Sequence, residues 1–311
     1  MNVIAVVVTY NRKKLLLECL DSISNQTLKV SKIIIIDNNS TDGTEETLKE
    51  KGFIDRNDIE YILLPNNIGG AGGFYEGMKR AHIYKPDYIW IMDDDTIPKD
   101  NSLEGFKDTI NKLEEPFSFL ASMVYGQNGE FMNVPRIDNS KAKNGYESWH
   151  KYLKKGLVSL KSATFVSLLI NTKAIDSVGL PCKDYFIWGD DTEYTMRLTK
   201  YFAPAYLVGN SEVIHKRIGG ENISIIKEEN KNRINLYYYY YRNKLINSKE
   251  YFGFKVFIKQ FPIMIRDILK ILIKQKHKFL KIKIILKATF DYLFRRYDYR
   301  AFNDRMNIKI D

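Results

Sequence analysis

Four short apolar runs, at residues 3–8, 32–36, 59–64 and 88–92, alternate with polar turns and helix-like stretches within the first hundred residues. That alternation restricts the fold more than any other feature of the chain. The first and fourth runs, Val3-Ile4-Ala5-Val6-Val7-Val8 and Tyr88-Ile89-Trp90-Ile91-Met92, carry no charge, as fits strands buried on both faces. After the first, Leu15, Leu16, Cys19, Leu20 and Ile23 recur at helical spacing. After the second, Ser40 or Thr41 is a candidate cap for a helix holding Glu45, Glu46 and Leu48. After the third, residues 66–73 read as a glycine-rich loop and residues 74–81 as the helix that follows it. Such alternation predicts a doubly wound α/β sheet, with ligands beyond the carboxyl ends of the strands. Farther on, residues 162–170 read as a strand. Tyr194, Met196, Leu198 and Tyr201 read as one helix, and residues 206–208 and 213–214 as two short strands.

The polar clusters collect where such a sheet binds ligands: Thr9-Tyr10-Asn11, Asp37-Asn38, Asn66-Asn67 and Asp93-Asp94-Asp95 each close a run. Three adjacent carboxylates at the mouth of a buried strand repel one another and lose hydration. A divalent cation removes the conflict, and oxygen ligands on a tight turn suit Mg²⁺ or Mn²⁺, which also hold a diphosphate. Of the 4 histidines, His215 follows an apolar pair at a late strand end and is the one expected to complete that site. Asp190 and Asp191 follow the aromatic run Tyr185-Phe186-Ile187-Trp188. They fit the start of a helix, where exposed amides favour carboxylates, and they fit a general base whose pKa aromatic surroundings raise. The glycines of residues 67–74 fit either a tight loop or backbone contact with an anion. The first turn has no glycine, so a nicotinamide enzyme is a poor fit.

Cys19 and Cys182 lack metal-ligand spacing and make no disulfide framework, which fits a reducing compartment. The chain opens on a strand rather than a basic leader, and nowhere do 18 apolar residues run together, so neither a signal peptide nor a membrane-spanning helix is expected. The formal charge of +10 is concentrated: residues 251–311 hold 15 Lys and Arg against 5 Asp and Glu, and the rest of the chain holds 33 of each. In that segment Phe261, Met264, Ile265, Ile268 and Leu272 recur at helical spacing beside Arg266, Lys270 and Lys274. Residues 279–294 repeat the theme with Lys281, Lys283 and Lys287. Basic amphipathic helices of this kind lie in anionic membrane surfaces; packing on the body or in a homo-oligomer is the other reading. Nucleic acid is not expected, because no recognition motif accompanies the charge.

Taken together, several motifs resemble the family 2 inverting glycosyltransferases: Val7-Val8-Thr9-Tyr10-Asn11-Arg12, Ile36-Asp37-Asn38-Asn39-Ser40-Thr41-Asp42-Gly43-Thr44, the Asp triplet, and the tyrosine run at 237–241 before Arg242-Asn243. The resemblance implies an α/β GT-A fold, a Rossmann-like nucleotide-sugar-binding sheet, over residues 1–243. Residues 244–311 are then a basic helical extension for membrane association or dimerisation. Residues 67–74 and 188–194 look most like galactofuranosyltransferases, with rhamnosyltransferases close behind. Position by position, the resemblance implies that Asp37 reads a uracil ring and that Thr9, Arg12, Asn67, Asp93 and Asp94 line the donor pocket. Asp93, Asp95 and His215 would hold Mn²⁺ or Mg²⁺, and Asp191 would be the base. Trp188, Asp190 and Trp149 are expected on the acceptor side, with Tyr185 as a further sugar platform.

The expected reaction is metal-dependent, inverting transfer of galactofuranose from UDP-galactofuranose to a lipid-linked or polysaccharide acceptor, at the cytoplasmic face of the cell membrane. The chain is shorter than the mycobacterial galactan polymerases of that group and lacks their added N-terminal β domain, so one or few additions per acceptor are expected. The alternatives are dTDP-rhamnose as donor, or a non-catalytic nucleotide-sugar-binding partner of a membrane assembly. A nucleotidyltransferase would carry a basic, glycine-rich first loop that is missing here.

Overall fold

The computed structural model describes residues 1–217, 223–273 and 275–296, so Lys274 of the basic stripe and residues 297–311 of the extension lie outside the described residues. In chain order the first elements are β1 (Val3–Thr9), α1 (Lys13–Ser24), β2 (Lys32–Asp37), α2 (Thr44–Glu50), β3 (Ile59–Leu63), α3 (Gly69–His82) and β4 (Tyr88–Asp93). Then come β5 (Thr96–Pro98), α4 (Ser102–Lys112), β6 (Phe119–Tyr125), β7 (Arg136–Ile137), β8 (Leu157–Ser162), β9 (Leu168–Asn171), α5 (Thr172–Val178), α6 (Asp190–Tyr201) and β10 (Ala205–His215). Four helices close the described chain: α7 (Lys231–Tyr251), α8 (Phe254–Ile258), α9 (Gln260–Leu272) and α10 (Lys278–Leu293).

The strands form one mixed 10-stranded sheet in the order β3-β2-β1-β4-β9-β6-β10-β8-β7, with β5 pairing the last residues of β10. The first four strands pair in parallel, as the alternation predicts. β9 runs antiparallel to both β4 and β6 and so reverses the sheet. Alternate residues of β1 enter two cores. Ile4, Val6 and Val8 meet Phe74 and Met78 of α3, while Val3, Ala5 and Val7 meet Leu16 and Leu20 of α1 and Phe106 of α4. With helices on both faces, every position of the strand can be apolar. Cys19 and Cys182 are free and buried.

Local readings give way where packing decides. The glycines read as a loop lie in the first turns of α3. A Cβ on Gly73 would come 2.5 Å from Val8 Cγ1, and one on Gly77 2.4 Å from Val6 Cγ1, so α3 lies against β1 only without those side chains. That tertiary contact overrides the weak helix propensity of glycine. Neither Ser40 nor Thr41 caps α2; its N-cap is Gly43 at φ 81. Ser40 Oγ instead accepts from the Asn11 N–H, and the Thr41 N–H donates to Asn11 Oδ1, which ties two neighbouring turns together. The strand expected over residues 162–170 is two strands that do not pair, β8 against β7 and β10, and β9 between β4 and β6. Residues 163–167 cross between them, held where the buried Trp90 indole donates to Ser167 Oγ at 2.9 Å. Conversely, the two short strands expected near the end are one strand, β10, with a register shift between Val208 and Glu212.

A third core joins Ile234, Tyr237, Tyr241 and Leu245 of α7 to Met264 and Ile271 of α9 and to Ile284, Ile285 and Ala288 of α10. The division expected after Asn243 falls inside α7. Among the described residues no helix is long and apolar enough to cross a membrane.

The close approach of α3 to β1 sets a stability test. Gly77→Val should lower the free energy of urea unfolding by about 2 kcal/mol, the usual effect of overpacking a filled core. A variant as stable as the parent chain would mean that helix and strand do not pack this tightly.

Candidate active site

A cleft of about 610 Å³ opens beyond the carboxyl ends of β1 and β4. It brings together Thr9, Arg12, Asn67, Asp93, Asp94, Asp95, His215, Asp190, Asp191 and Trp188. β4 ends at Asp93, and Asp94 and Asp95 form the turn into β5. β5 pairs with β10 so that Thr96 lies opposite His215, and the Lys216 N–H donates to the Asp95 carbonyl at 2.7 Å. This three-residue pairing sets His215 beside the triplet.

One ligand atom each from Asp93, Asp95 and His215 lies within 4.8 Å of the others. His215 Nδ1 is 2.8 Å from Asn133 Oδ1, and Nε2 is 3.1 Å from Asp95 Oδ1. That carboxylate oxygen is buried and accepts no hydrogen bond. Assigning the ring proton to Nδ1, toward Asn133, leaves the Nε2 lone pair facing an orphaned oxygen. A divalent cation satisfies both acceptors, and carboxylate oxygens with one imidazole nitrogen form a mixed donor set for such an ion.

The remaining contacts manage the charge of the triplet. Arg12, at the N-cap of α1, sets one guanidinium nitrogen 2.6 Å from Asp95 Oδ2 and 3.3 Å from Asp94 Oδ1. Thr9 Oγ1 donates to Asp94 Oδ2 at 2.7 Å. Burial and the charges of Asp95 and Asp94 push Asp93 well above the usual carboxylate range. Burial also pushes Asp94 up, to about 6, against the pull of Arg12 and Thr9. For Asp95 burial is outweighed by His215, when a proton in place of a cation lies between its Nε2 and the carboxylate, and by Arg12, which hold its carboxyl below the usual range.

Asp190 and Asp191 occupy the first turn of α6 after Gly189, whose φ of 93 makes it the N-cap. They therefore sit at the helix start, as one reading of the sequence has it, and they also line the cleft, as the other has it. Burial raises both carboxyls, and the Asp191 charge raises Asp190 further, to about 8. Two adjacent buried carboxyls of this kind resist carrying two charges together, so the pair titrates as a unit. Beside them Phe186 stacks on Tyr239 at 4.6 Å, and Trp188 leans on Tyr237 at 5.0 Å.

Three expected residues lie elsewhere. Asp37 is buried outside the cleft lining, its carboxylate accepting the Ser40 N–H at 2.7 Å and the Tyr61 hydroxyl at 2.8 Å; its neighbour Asn38 does line the cleft. The end of β2 is spent on holding its own turn. Trp149 sits on the loop before β8, edge-on to His150 at 5.3 Å, and is not part of the lining. Tyr185 is fully buried and donates its hydroxyl to Asn247 Oδ1 at 2.7 Å. Asn133 is a site residue that sequence reasoning missed, as are Thr164 and Arg217 of the lining; Asn133 sits at a left-handed φ of 47, which asparagine tolerates.

A family model described as "Glycosyl transferase family 2" matches residues 4–166, just over half of the 311-residue chain. The "Galactofuranosyltransferase GlfT1" of Mycolicibacterium smegmatis is 28% identical over 219 residues, 65% of this chain and 67% of that one. The chain thus spans about two thirds of the length of the GlfT1 relatives it matches. Among solved structures, Staphylococcus aureus TarS 1-349 in complex with UDP-GlcNAc aligns at a TM-score of 0.53 and 13% identity, covering 96% of this chain and 93% of that one. GalNAc-T7 with UDP, GalNAc and Mn²⁺ aligns at 0.55 and 14% identity, covering 95% and 58%. At such identities these two likenesses speak for the fold.

The Asn133–His215–Asp95 chain is open to a direct titration. Followed by electron paramagnetic resonance, Mn²⁺ affinity should fall roughly tenfold in Asn133→Ala and further in His215→Ala, the scale seen when the partner of a metal-bound histidine is lost. Parent-like affinity in both variants would remove His215 from the ligand set.

Proposed function

The chain belongs to glycosyl transferase family 2, and we propose that it transfers galactofuranose from UDP-galactofuranose to a lipid-linked glycan, inverting the anomeric centre. The observation that carries this reading is a single cleft holding both the Asp93, Asp95 and His215 donor set and the Asp191 carboxylate. The similarity to a galactofuranosyltransferase supports the sugar, and the UDP named in the neighbouring structures fits the nucleotide.

In this reading Asp191 takes the proton of the acceptor hydroxyl as that oxygen attacks the anomeric carbon. The bond from that carbon to the diphosphate oxygen breaks on the opposite face, and UDP leaves. Burial and the neighbouring Asp191 disfavour a charge on Asp190, and in its protonated form Asp190 would offer the acceptor a hydrogen-bond donor. Gly69 and Gly70 line the cleft at the amino end of α3; the Gly69 and Ala71 N–H groups are taken by Asn67 Oδ1 and the Phe186 carbonyl, so the helix dipole is what favours an anion there. Arg12 contributes the chain's own positive charge to the same region. When bound, a divalent cation held by Asp93, Asp95 and His215 offsets the negative charge of the departing diphosphate. Phe186 and Trp188 give the cleft an aromatic wall suited to the apolar face of a sugar ring.

The helical extension supports a peripheral position on the inner face of the cell membrane, where a lipid-linked acceptor would be met. Ile265, Leu269 and Leu272 of α9 are exposed at the spacing of one helical stripe, as are Phe279, Leu286, Phe290 and Leu293 of α10. Residues 254–296 hold two acidic side chains, Asp267 and Asp291, and both are turned inward, accepting the Tyr241 and Tyr238 hydroxyls at 3.0 Å. What faces outward is apolar or positive. A second copy of the same face would meet like charge, whereas an anionic lipid surface would not.

Two experiments test these readings. Asp191→Asn should abolish transfer while leaving UDP affinity intact, and Asp190→Asn, which mimics the neutral acid, should keep turnover within about tenfold. As pH falls, kcat/KM should drop through the raised pKa of Asp191, at a higher pH than an ordinary carboxylate gives. Near-parent turnover in Asp191→Asn would refute the base assignment, and turnover of dTDP-rhamnose in place of UDP-galactofuranose would change the donor. For the membrane, the protein should float with phosphatidylglycerol vesicles and not with phosphatidylcholine vesicles. Replacing both Ile265 and Leu269 by Glu should end flotation; if it persists unchanged, these helices are not the contact.

A further inference from the structure

Residues 183–189 combine backbone strain with an unusual density of external hydrogen bonds. Phe186 sits at φ 62 and ψ −61, and Trp188 at φ 61, regions that bulky residues rarely adopt. The carbonyls of six successive residues, 184 to 189, all accept a bond from another element. One comes from the Ala71 N–H of α3, to Phe186 at 3.1 Å. The other five come from α7. Arg242 donates to the Asp184 carbonyl at 2.5 Å, and Asn247 Nδ2 to that of Gly189 at 2.8 Å. Asn243 Nδ2 alone reaches three, Tyr185 at 3.0 Å, Ile187 at 3.1 Å and Trp188 at 2.8 Å.

Both amides are themselves fixed. Asn243 Oδ1 accepts from Arg242 Nε at 3.0 Å, and Asn247 Oδ1 from the Tyr185 hydroxyl at 2.7 Å. Both residues are buried, one helical turn apart on α7. The segment they hold carries Phe186, Ile187 and Trp188 into the cleft and ends on the N-cap of the helix bearing Asp190 and Asp191.

We propose that Asn243 and Asn247 are positioning residues for the transfer reaction. Their amides fix the backbone of residues 184–189, and through it the place of Asp191 and of the Trp188 wall. Neither side chain lines the cleft. The chemistry explains the residue type. Several carbonyls turned to one point concentrate negative partial charge, and only a neutral side chain with paired N–H donors answers it without adding bulk or a counter-charge. Without that answer only the Ala71 bond and the ring contacts of Phe186 and Trp188 oppose relaxation of the two left-handed residues, and the base moves with them. The far side of α7 is tied to α9 and α10 through Tyr241–Asp267 and Tyr238–Asp291, so the extension braces the clamp. The kinetic part of this inference rests on Asp191 being the base; the conformational part does not.

The test uses the full chain carrying Asn243→Asp or Asn247→Asp, substitutions that keep shape and replace the donor by an acceptor. Amide hydrogen exchange over residues 184–191 should quicken about tenfold while β1 and β4 keep their protection. UDP affinity with Mn²⁺ should stay within about twofold, and transfer from UDP-galactofuranose to an octyl galactofuranoside should fall roughly 100-fold, as displacement of a catalytic group does. Hydrolysis of the donor by water should fall less than transfer. Unchanged exchange in both variants overturns the proposal. So does a loss of UDP affinity or of protection in β1 and β4, since the two residues would then hold the whole fold. If exchange quickens as stated but the parent chain itself does not turn over UDP-galactofuranose, the clamp stands and the donor assignment falls.

Discussion

Three carboxylates at the end of a fully buried strand cannot be left to themselves, and much of this molecule is an answer to that constraint. The answer is drawn from separate elements. Thr9 supplies a hydroxyl from the end of β1, and Arg12 a guanidinium from the cap of α1. The short β5 pairing brings in His215. Even so, Asp93 and Asp94 remain raised and one oxygen of Asp95 remains unpaired. That residual frustration is the usual sign of a site whose local rules are broken for function rather than for stability.

The sequence reveals the parts of this design that follow from periodicity. β1, β2 and β4 are legible because both of their faces are buried, and the Asp triplet is legible because like charges beside such a strand have few structural uses. His215 is legible by type and position, but the contact that places it depends on β5, only three residues long, too short to leave a pattern. The glycines of α3 mislead for the opposite reason: local propensity says loop, and the fit of helix to strand at Val6 and Val8 overrides it. Asp37 and Trp149 have the right chemistry for their expected roles, yet side-chain type says nothing of what else a residue bonds. Asn133, Asn243 and Asn247 act on a ring nitrogen or on backbone carbonyls, and such partners leave no trace in spacing.

The tyrosine run of α7 makes contacts on both sides of the boundary expected after Asn243. Its successive rings face in all directions and each finds a partner. Tyr239 stacks on Phe186 and Tyr240 meets Trp188, both cleft residues, while Tyr238 and Tyr241 bind the inward acids of α10 and α9. A helix with partners all round is an interior element. Through these contacts it touches both the cleft and the helices of the extension.

The pairing of β5 with β10, and the grip of α7 on residues 184–189, also set an order of assembly during synthesis. Chains emerge from the ribosome amino end first, and early segments begin to fold before later ones exist. A nascent chain that has emerged as far as Asp191 has every carboxylate of the site, but neither His215 nor the clamp. Its acidic turn has no imidazole partner, and its strained segment has the Ala71 N–H but none of the donors of α7. The full set of site contacts therefore assembles only once β10 and α7 have emerged.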